Sequence, residues 1–406
     1  MKSLARLLNY ELKKIFRQLV LYICVILLMG MIYIYPFLTQ RDYNAERQLS
    51  ADLDTLYNDM NFELNEPHYR LLEQYNEDSF KVMPMDYIEI GLEHPHMAYS
   101  ISQAYAKAQS LLQADENRTY TVNQALKNMN DLNNASGNIY FYRYNQLVCE
   151  RVSQQKPYVF FNTNGWIHLY KLFGYAKPIN IVDIALLIIG LLAFCSMFTL
   201  DYETGIITLM KTLKNGYSYV FSARFVTALC ISVILVILFF IPILIDTMLA
   251  YSLNNPLEGI QNIYPDCPYL LSLFGGIVVL AGQKVLMLMI LYSMVSVFGV
   301  FTKNRLAALA MGAGIDAILL IPCMDNTLYD ATSYYSVVIK DKINMLINPM
   351  ASILGARYLN KFDYIELFGF PFSRMVVMIG FSIFFILALQ TATMVAYRKQ
   401  HKPVCP

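Results

Sequence analysis

The stretch Phe225–Ile245, FVTALCISVILVILFFIPILI, contains no charged side chain. At 1.5 Å per residue, a helix of about 20 apolar residues crosses the hydrocarbon core of a bilayer. Five further stretches are similarly poor in charge, and they lie at Leu19–Thr39, Ile179–Leu200, Tyr269–Thr302, Leu306–Met324 and Met375–Tyr397. We therefore predict an all-α polytopic membrane protein with six transmembrane helices.

The composition of the whole chain agrees with this class. Hydrophobic residues make up 56% of the 406 residues, charged residues only 15%, and the mean hydropathy is +0.40. A typical soluble chain carries about 25% charged residues. The net charge of +1 offers no field that would attract polyanions. We exclude a disordered protein, a basic nucleic-acid-binding protein and an ordinary cytosolic enzyme, and we expect the lipid bilayer as a partner.

Lysine and arginine are concentrated on one side of the predicted spans. Cytoplasmic flanks carry such an excess. With both termini inside, that side holds the acids Glu11, Asp201 and Glu203 against thirteen basic residues, which are Lys2, Arg6, Lys13, Lys14, Arg17, Lys211, Lys214, Arg224, Lys303, Arg305, Arg398, Lys399 and Lys402. The short loop Tyr251–Pro268 on the other side has no Lys or Arg. We predict a multi-pass protein of a bacterial plasma membrane with both termini cytoplasmic.

The boundaries of the spans divide the chain into three parts. Residues 1–39 hold an amphipathic elbow helix, with Lys13, Lys14 and Arg17 largely off its apolar face, and the first transmembrane helix. Such a helix lies flat at an anionic leaflet. Residues 40–177 form a mainly helical extracellular domain. Residues 178–406 form a five-helix transmembrane region with a cytoplasmic segment at 201–224 and an outer segment at 325–374.

Two features of the extracellular part bear on function. The single Trp, Trp166, lies shortly before the second span and predicts an aromatic belt at the headgroup level, with substrate stacking as the alternative. Cys149 and Cys267 fall outside the membrane, where a disulfide between them is conceivable. The pair His94 and His96 could suggest a metal, but a surface turn explains them better, so we expect no metal site.

Chemistry-bearing patterns are scarce. The chain has no G-x-x-x-x-G-K-[ST] phosphate loop and no H-E-x-x-H metalloprotease pattern. We therefore expect neither catalysis nor a directly bound cofactor.

Ionisable residues inside a membrane usually face protein or water. Lys284 and Asp246 are explained by interfacial snorkelling or by a mutual pair. Asp316 reaches the middle of its span, where a functional and a structural role are equally open. Gly312 and Gly314 belong to a run of small residues before Asp316, which predicts a close helix–helix seam between two copies of the chain.

The loop after the second span has a distinctive composition. Glu203 and Gly205 precede a short apolar helix around Leu209, and Lys211 and Lys214 follow before a Gly turn and Ser218. A short helix between two spans is a rigid lever, because a force on it moves both spans together. Glu203 complements the N-terminal dipole of such a helix by about 0.3–1 kcal/mol. A loop that only connects the two spans is the alternative.

In this layout the chain resembles the permease subunits of type-2 ABC exporters. The resemblance rests on six spans, inside termini, the elbow helix, and a coupling segment after span two in which Glu203, Gly205, Leu209 and Ser218 match the family's pattern. Residues 347–350, INPM, look like the family's outer-leaflet helix. The branch concerned carries a large extracellular domain between spans one and two.

The resemblance implies a subunit that supplies the transport path while a separate ATPase subunit binds ATP and Mg²⁺. A second permease subunit, identical or different, would complete the pair. Lys211 and Lys214 would join the matched residues in contacting the ATPase, and the cargo would be a peptide, lipid, glycan or drug. A non-transporting sensor whose extracellular domain binds a ligand is the main rival, and an intramembrane enzyme comes third.

Overall fold

A computed structural model describes residues 2–16, 18–38, 42–60, 64, 66–81, 95–134, 139–175, 181–203, 216–265, 267–324, 348, 359 and 364–400, and the statements below concern these residues. The chain is mostly helical. The long apolar helices are α2 (Leu19–Leu38), α8 (Ile181–Glu203), α9 (Gly216–Ala250), α10 (Leu273–Thr302), α11 (Arg305–Met324) and α12 (Arg374–Gln400), and a first helix, α1 (Lys2–Phe16), precedes them.

Within the described residues, four helices are long and apolar enough to cross a membrane, namely α8, α9, α10 and α12. The second, third, fourth and sixth predicted spans therefore coincide with helices that are long and apolar enough to cross a membrane. The first and fifth predicted spans are helices of 20 residues, α2 and α11. The count of six spans stays a prediction.

Helix α10 is the centre of the bundle. It contacts α8, α9, α11 and α12. Of the 18 most apolar consecutive residues of this helix, about two thirds are buried within the protein. Ser272 starts the helix by accepting a hydrogen bond from the Gly275 amide at 3.0 Å, and Lys303 ends it in the left-handed conformation. Side-chain hydrogen bonds also link α10 to α12, since Gln390 donates to Ser293 at 3.0 Å. Such bonds hold helices together where both faces are apolar.

Residues between α2 and α8 form a second set of helices: α3 (Tyr43–Asp59), α4 (Glu66–Lys81), α5 (Pro95–Asn134), α6 (Ile139–Ser153) and α7 (Asn164–Tyr170). Asp42 caps α3 by accepting hydrogen bonds from two backbone amides. A small apolar core joins α3, α4 and α5 around Leu53, Leu72 and Ala104. The mainly helical character predicted for residues 40–177 is therefore present in its described part, and its side of the membrane stays a prediction.

The loop between α9 and α10 joins this helical set to the membrane helices. The Trp166 indole donates to the Asn254 carbonyl at 2.6 Å, Gln155 donates to the Cys267 carbonyl at 2.9 Å, and the Asn262 side chain accepts from the Val159 amide at 2.9 Å. These bonds come from α7 and from the segment that follows α6. The loop is thus held at several points along its length.

One expectation for this part of the chain is wrong, and the disulfide that was left open is not formed. Trp166 is only 3% exposed and hydrogen-bonded within the protein, so it does not lie in an aromatic belt at the headgroups. Cys149 and Cys267 are both free thiols, and the Cys149 thiol on α6 donates to the Val122 carbonyl on α5. Burial raises the pKa of the Cys267 thiol to about 12.

A β-hairpin precedes the last helix and departs from the all-α expectation. Strand β1 (Tyr364–Leu367) pairs antiparallel with β2 (Phe370–Ser373), and α12 follows without a linker. Phe368 and Gly369 form the turn with positive φ angles of 55° and 73°. Of the predicted outer-leaflet helix at 347–350, only Asn348 lies within the described residues. The side-chain amide of Asn348 donates a hydrogen bond to the Leu319 carbonyl at 2.7 Å.

Candidate functional site: a buried charge cluster beside the predicted coupling segment

Helix α1 packs against α9 and α8 at one end of the bundle, which we name the α1 end. Ile15 on this helix is 1% exposed, while Lys13 points to the exposed side. Glu11 and Lys14 lie three residues apart and therefore share the packed face of the helix. Their charged atoms are 3.8 Å apart. Because Glu11 and Lys14 lie on the same packed face as Ile15, both charged side chains are inside the protein.

These two charged side chains contact two more, Asp201 in the last turn of α8 and Arg224 within α9. Lys14 donates to Asp201 at 2.6 Å, and Arg224 is paired with Asp201 and, at 3.3 Å, with Glu11. We name Glu11, Lys14, Asp201 and Arg224 the charge cluster. The side chains of Asp201, Arg224 and Glu11 are 0%, 1% and 2% exposed. Two acids and two bases make the charge cluster neutral, which is the condition under which buried charges are tolerated.

Neighbouring groups hold the charge cluster in place. The Arg224 guanidinium lies 4.8 Å from the centre of the Phe198 ring, a cation–π contact. Lys14 also donates to the Met197 carbonyl at 3.1 Å, which fixes its amine above the last turns of α8. Each charged side chain of the cluster therefore lies within ion-pair distance of an opposite charge, in place of the water that burial removes.

A second contact ties the chain just after α1 to the same place. The Gln18 amide donates to Ser196 on α8 and accepts from Arg305 at the start of α11, at 2.9 Å. Lys303, in the turn before α11, lies 5.9 Å from the centre of the Tyr202 ring. The last turns of α8 are consequently contacted by α1, α9, the α10–α11 turn and α11.

Glu203 is the last residue of α8, and Ser218 lies in the first turn of α9. Asp201 therefore lies shortly before residues 204–215, which join α8 to α9, and Arg224 lies within α9 after them. Arg224 lies eight residues into α9 and not at the start of its helix, since α9 begins at Gly216. Gly205, Leu209, Lys211 and Lys214 lie outside the described residues, as does Arg17 of the elbow.

The polar residues expected inside the membrane have partners other than each other. Lys284 on α10 is paired with Asp183 in the first turn of α8, and its amine lies 5.0 Å from the centre of the Phe173 ring. Asp246 on α9 accepts a hydrogen bond from Tyr43 at 2.6 Å and lies 3.2 Å from the His168 ring. A mutual pair of Lys284 and Asp246 is therefore wrong. Sequence reasoning missed the pairing because Asp183 and Lys284 are 101 positions apart.

The small residues of α11 divide between two environments. A side chain at Gly312 would meet Leu191 at 2.8 Å and Val295 at 3.1 Å, so Gly312 lies in a close contact of α11 with α8 and α10 of the same chain. Nothing lies within 4 Å of the corresponding position at Gly314. The seam at Gly312 is thus intramolecular, and only Gly314 remains open to a second subunit. Asp316 is buried, and one of its oxygens has no hydrogen-bond partner among the described residues.

Lys107, which lies outside the membrane helices, has a strongly altered pKa. Lys107 on α5 donates to the Asn262 carbonyl in the loop between α9 and α10. Burial lowers the pKa of this amine to about 8, because desolvation disfavours the charged form. The contact between α5 and the loop is therefore favoured when the amine is neutral.

Compared with protein-family models and with curated proteins, the chain matches none of either. The described residues bring no three His, Cys, Asp or Glu side chains together as metal ligands. The charge cluster at the α1 end is the site around which α1 and the ends of two membrane helices converge.

Proposed function

We propose that this chain is the permease subunit of an ATP-driven exporter of the type-2 ABC kind. In this proposal the chain crosses the plasma membrane six times, both termini are cytoplasmic, and the helices α3–α7 lie outside the cell. A separate ATPase subunit binds ATP and Mg²⁺ and contacts residues 204–215. The observation that supports the proposal is the charge cluster, which joins α1 to α8 and α9, the two helices that this segment connects.

The charge cluster makes the three helices move as one unit. Separating the helices would remove buried acids from their bases and leave uncompensated charges, at a cost of about 3–5 kcal/mol for each broken pair. A force applied to residues 204–215 would therefore displace α8, α9 and α1 together, and would not be absorbed by local bending. Transmission of ATP-driven closure to the transport path requires such a rigid connection.

The remaining polar residues of the membrane helices fit supporting roles. The pair of Asp183 and Lys284 fixes α8 against α10 near the end opposite α1. Asp316 lies on α11, and the open face of that helix at Gly314 is where a second permease subunit would pack. The class of cargo follows from none of these contacts.

Purification of the chain in mild detergent from its native membrane tests the partner. We expect an ABC ATPase subunit to copurify in stoichiometric amount. A kinase or transcriptional regulator in its place would contradict the proposal and favour the sensor.

The complex, reconstituted in vesicles, tests the coupling role through Lys14→Gln. Lys13→Gln is the matched control, because Lys13 is the adjacent residue of the same helix but is exposed and outside the charge cluster. We expect Lys14→Gln to lower the efflux per ATP hydrolysed and Lys13→Gln to leave it unchanged. Equal efflux per ATP in both variants would contradict a coupling role for the charge cluster.

A further inference from the structure

The hairpin β1–β2 presents an apolar face that is about half exposed. Directly paired residues of two antiparallel strands share a face, and here Ile365 pairs with Phe372 and Leu367 with Phe370. The exposed fractions of Phe370 and Phe372 are 49% and 43%. At the turn, Phe368 is 98% exposed. Aromatic side chains thus project from both the tip and one face.

Contacts with α6 fix the tip in this position. The Arg143 guanidinium donates to the Gly369 carbonyl at 3.0 Å and lies 3.7 Å from the centre of the Phe370 ring. Phe368 has a positive φ angle, which is rare for a bulky residue and has to be held by its surroundings. The exposed Phe368 is therefore a fixed part of the fold.

The last helix sets the depth of the hairpin relative to a bilayer. Helix α12 has 27 residues, which at 1.5 Å each span about 40 Å, against about 30 Å of hydrocarbon. When Arg398, at the basic end of α12, lies in the headgroups, the 20 residues that cross the hydrocarbon are residues 378–397. Arg374 then lies about 6 Å outside the hydrocarbon, within the opposite headgroup layer. The hairpin starts at that level.

The exposed apolar surface is also continuous with the lipid-facing side of α12. Val376, in the first turn of α12, is 55% exposed and follows Phe372 by four residues. Aromatic side chains are enriched at the level of lipid headgroups, and an apolar patch of this kind is unfavourable in water. Arginine forms paired hydrogen bonds with phosphate, so Arg143 suits the same layer.

We propose that the hairpin is a lipid-contact site, with Phe368, Phe370 and Phe372 lying among the headgroups at the end of the bundle opposite α1. The occupant of the apolar face is the bilayer itself. The hairpin thereby anchors α6, through Arg143, to the membrane surface.

Tryptophan fluorescence with brominated lipids tests this proposal on the full chain. Phe368→Trp is placed in phosphatidylcholine vesicles with and without bromine high on the acyl chains. The native Trp166 is buried and gives the baseline that is subtracted. Ile237→Trp, on the exposed face of α9, is the lipid-facing reference. We expect bromine to reduce the emission of Phe368→Trp at least about twofold, because headgroup-level rings contact the upper acyl chains.

Iodide in the aqueous phase separates the outcomes. The proposal expects weak quenching of Phe368→Trp by iodide and strong quenching by bromine. Strong quenching by iodide with none by bromine would place the tip in water and overturn the proposal. Quenching by neither would mean that protein covers the tip, and it would overturn the proposal equally. Phe372→Trp repeats the test at a second position of the same face.

Discussion

The charge cluster allows a quantitative test through Arg224→Gln. This change leaves Glu11 and Asp201 facing Lys14 alone, so a neutral buried group acquires a net charge of −1. Breaking a buried pair in this way costs about 3–5 kcal/mol. The matched control is Arg70→Gln, which removes the Arg70–Glu66 pair on α4, where the side chains are 73% and 72% exposed. That exposed pair is worth about 0.3–0.5 kcal/mol.

The measurement is the thermal unfolding midpoint of the detergent-solubilised chain, with the double variant Asp201→Asn, Arg224→Gln as the second arm. The double variant restores neutrality, since Lys14 and Glu11 remain. We expect Arg224→Gln to lower the midpoint far more than Arg70→Gln, and the double variant to lose less than the sum of its single changes. Equal shifts for Arg224→Gln and Arg70→Gln, or strict additivity in the double variant, would refute the reasoning.

Three further outcomes are expected from other parts of the structure. Gly312→Leu should destabilise the chain by about 1–3 kcal/mol through overpacking, while Gly314→Leu should leave the unfolding midpoint of the monomer unchanged; similar midpoints would contradict the intramolecular seam. Gln390→Leu should cost about 0.6–1.7 kcal/mol by removing the hydrogen bonds between α12 and α10, as measured by denaturant unfolding, and no change would mean that these bonds are not stabilising. The pKa of Lys107 is lower in the folded than in the unfolded chain, so the contribution of Lys107 to stability should rise from about pH 8 to about pH 10.5. Lys107→Met should remove this contribution, and the difference in melting between the two chains across this range would detect it.

Hydropathy predicted most of the fold because the signal lies within each helix. A stretch such as Phe225–Ile245 is recognisable without knowledge of its neighbours, and it lies within an apolar helix, Tyr219–Ala250, that is long enough to cross a membrane. The same holds for the predicted spans in α8, α10 and α12, whose ends agree within four residues. Helix α1 is likewise present where its apolar spacing predicts a helix. Local pattern was sufficient in these cases.

The charge cluster was not predicted because its members are far apart in sequence. Lys14 and Asp201 are 187 positions apart, and Glu11 and Arg224 are 213 apart. In the sequence, Asp201 and Arg224 are recognisable only as charged residues at the membrane surface. The available signal was their position at the very ends of apolar runs, together with the equal numbers of acids and bases.

The environment of Trp166 and the hairpin were missed for related reasons. An indole shortly before a span can face either lipid headgroups or protein. In the fold, the Trp166 indole donates a hydrogen bond to the Asn254 carbonyl and so faces protein, and this contact is not visible in the sequence. The hairpin depends on a turn at Phe368 and Gly369 in which a bulky residue has a positive φ angle. Such a residue is a weak turn signal, because glycine and asparagine are the usual residues there.

The sequence separation within the charge cluster also bears on synthesis of the protein. At about 5–20 residues per second, a ribosome needs roughly 10–40 seconds to extend the chain from Glu11 to Arg224. During that interval the acid and the base of α1 have each other but not their final partners. Helix α1 therefore stays at the membrane surface without its final partners until the third predicted span has been synthesised. Its docking against α8 and α9 follows that step of biogenesis.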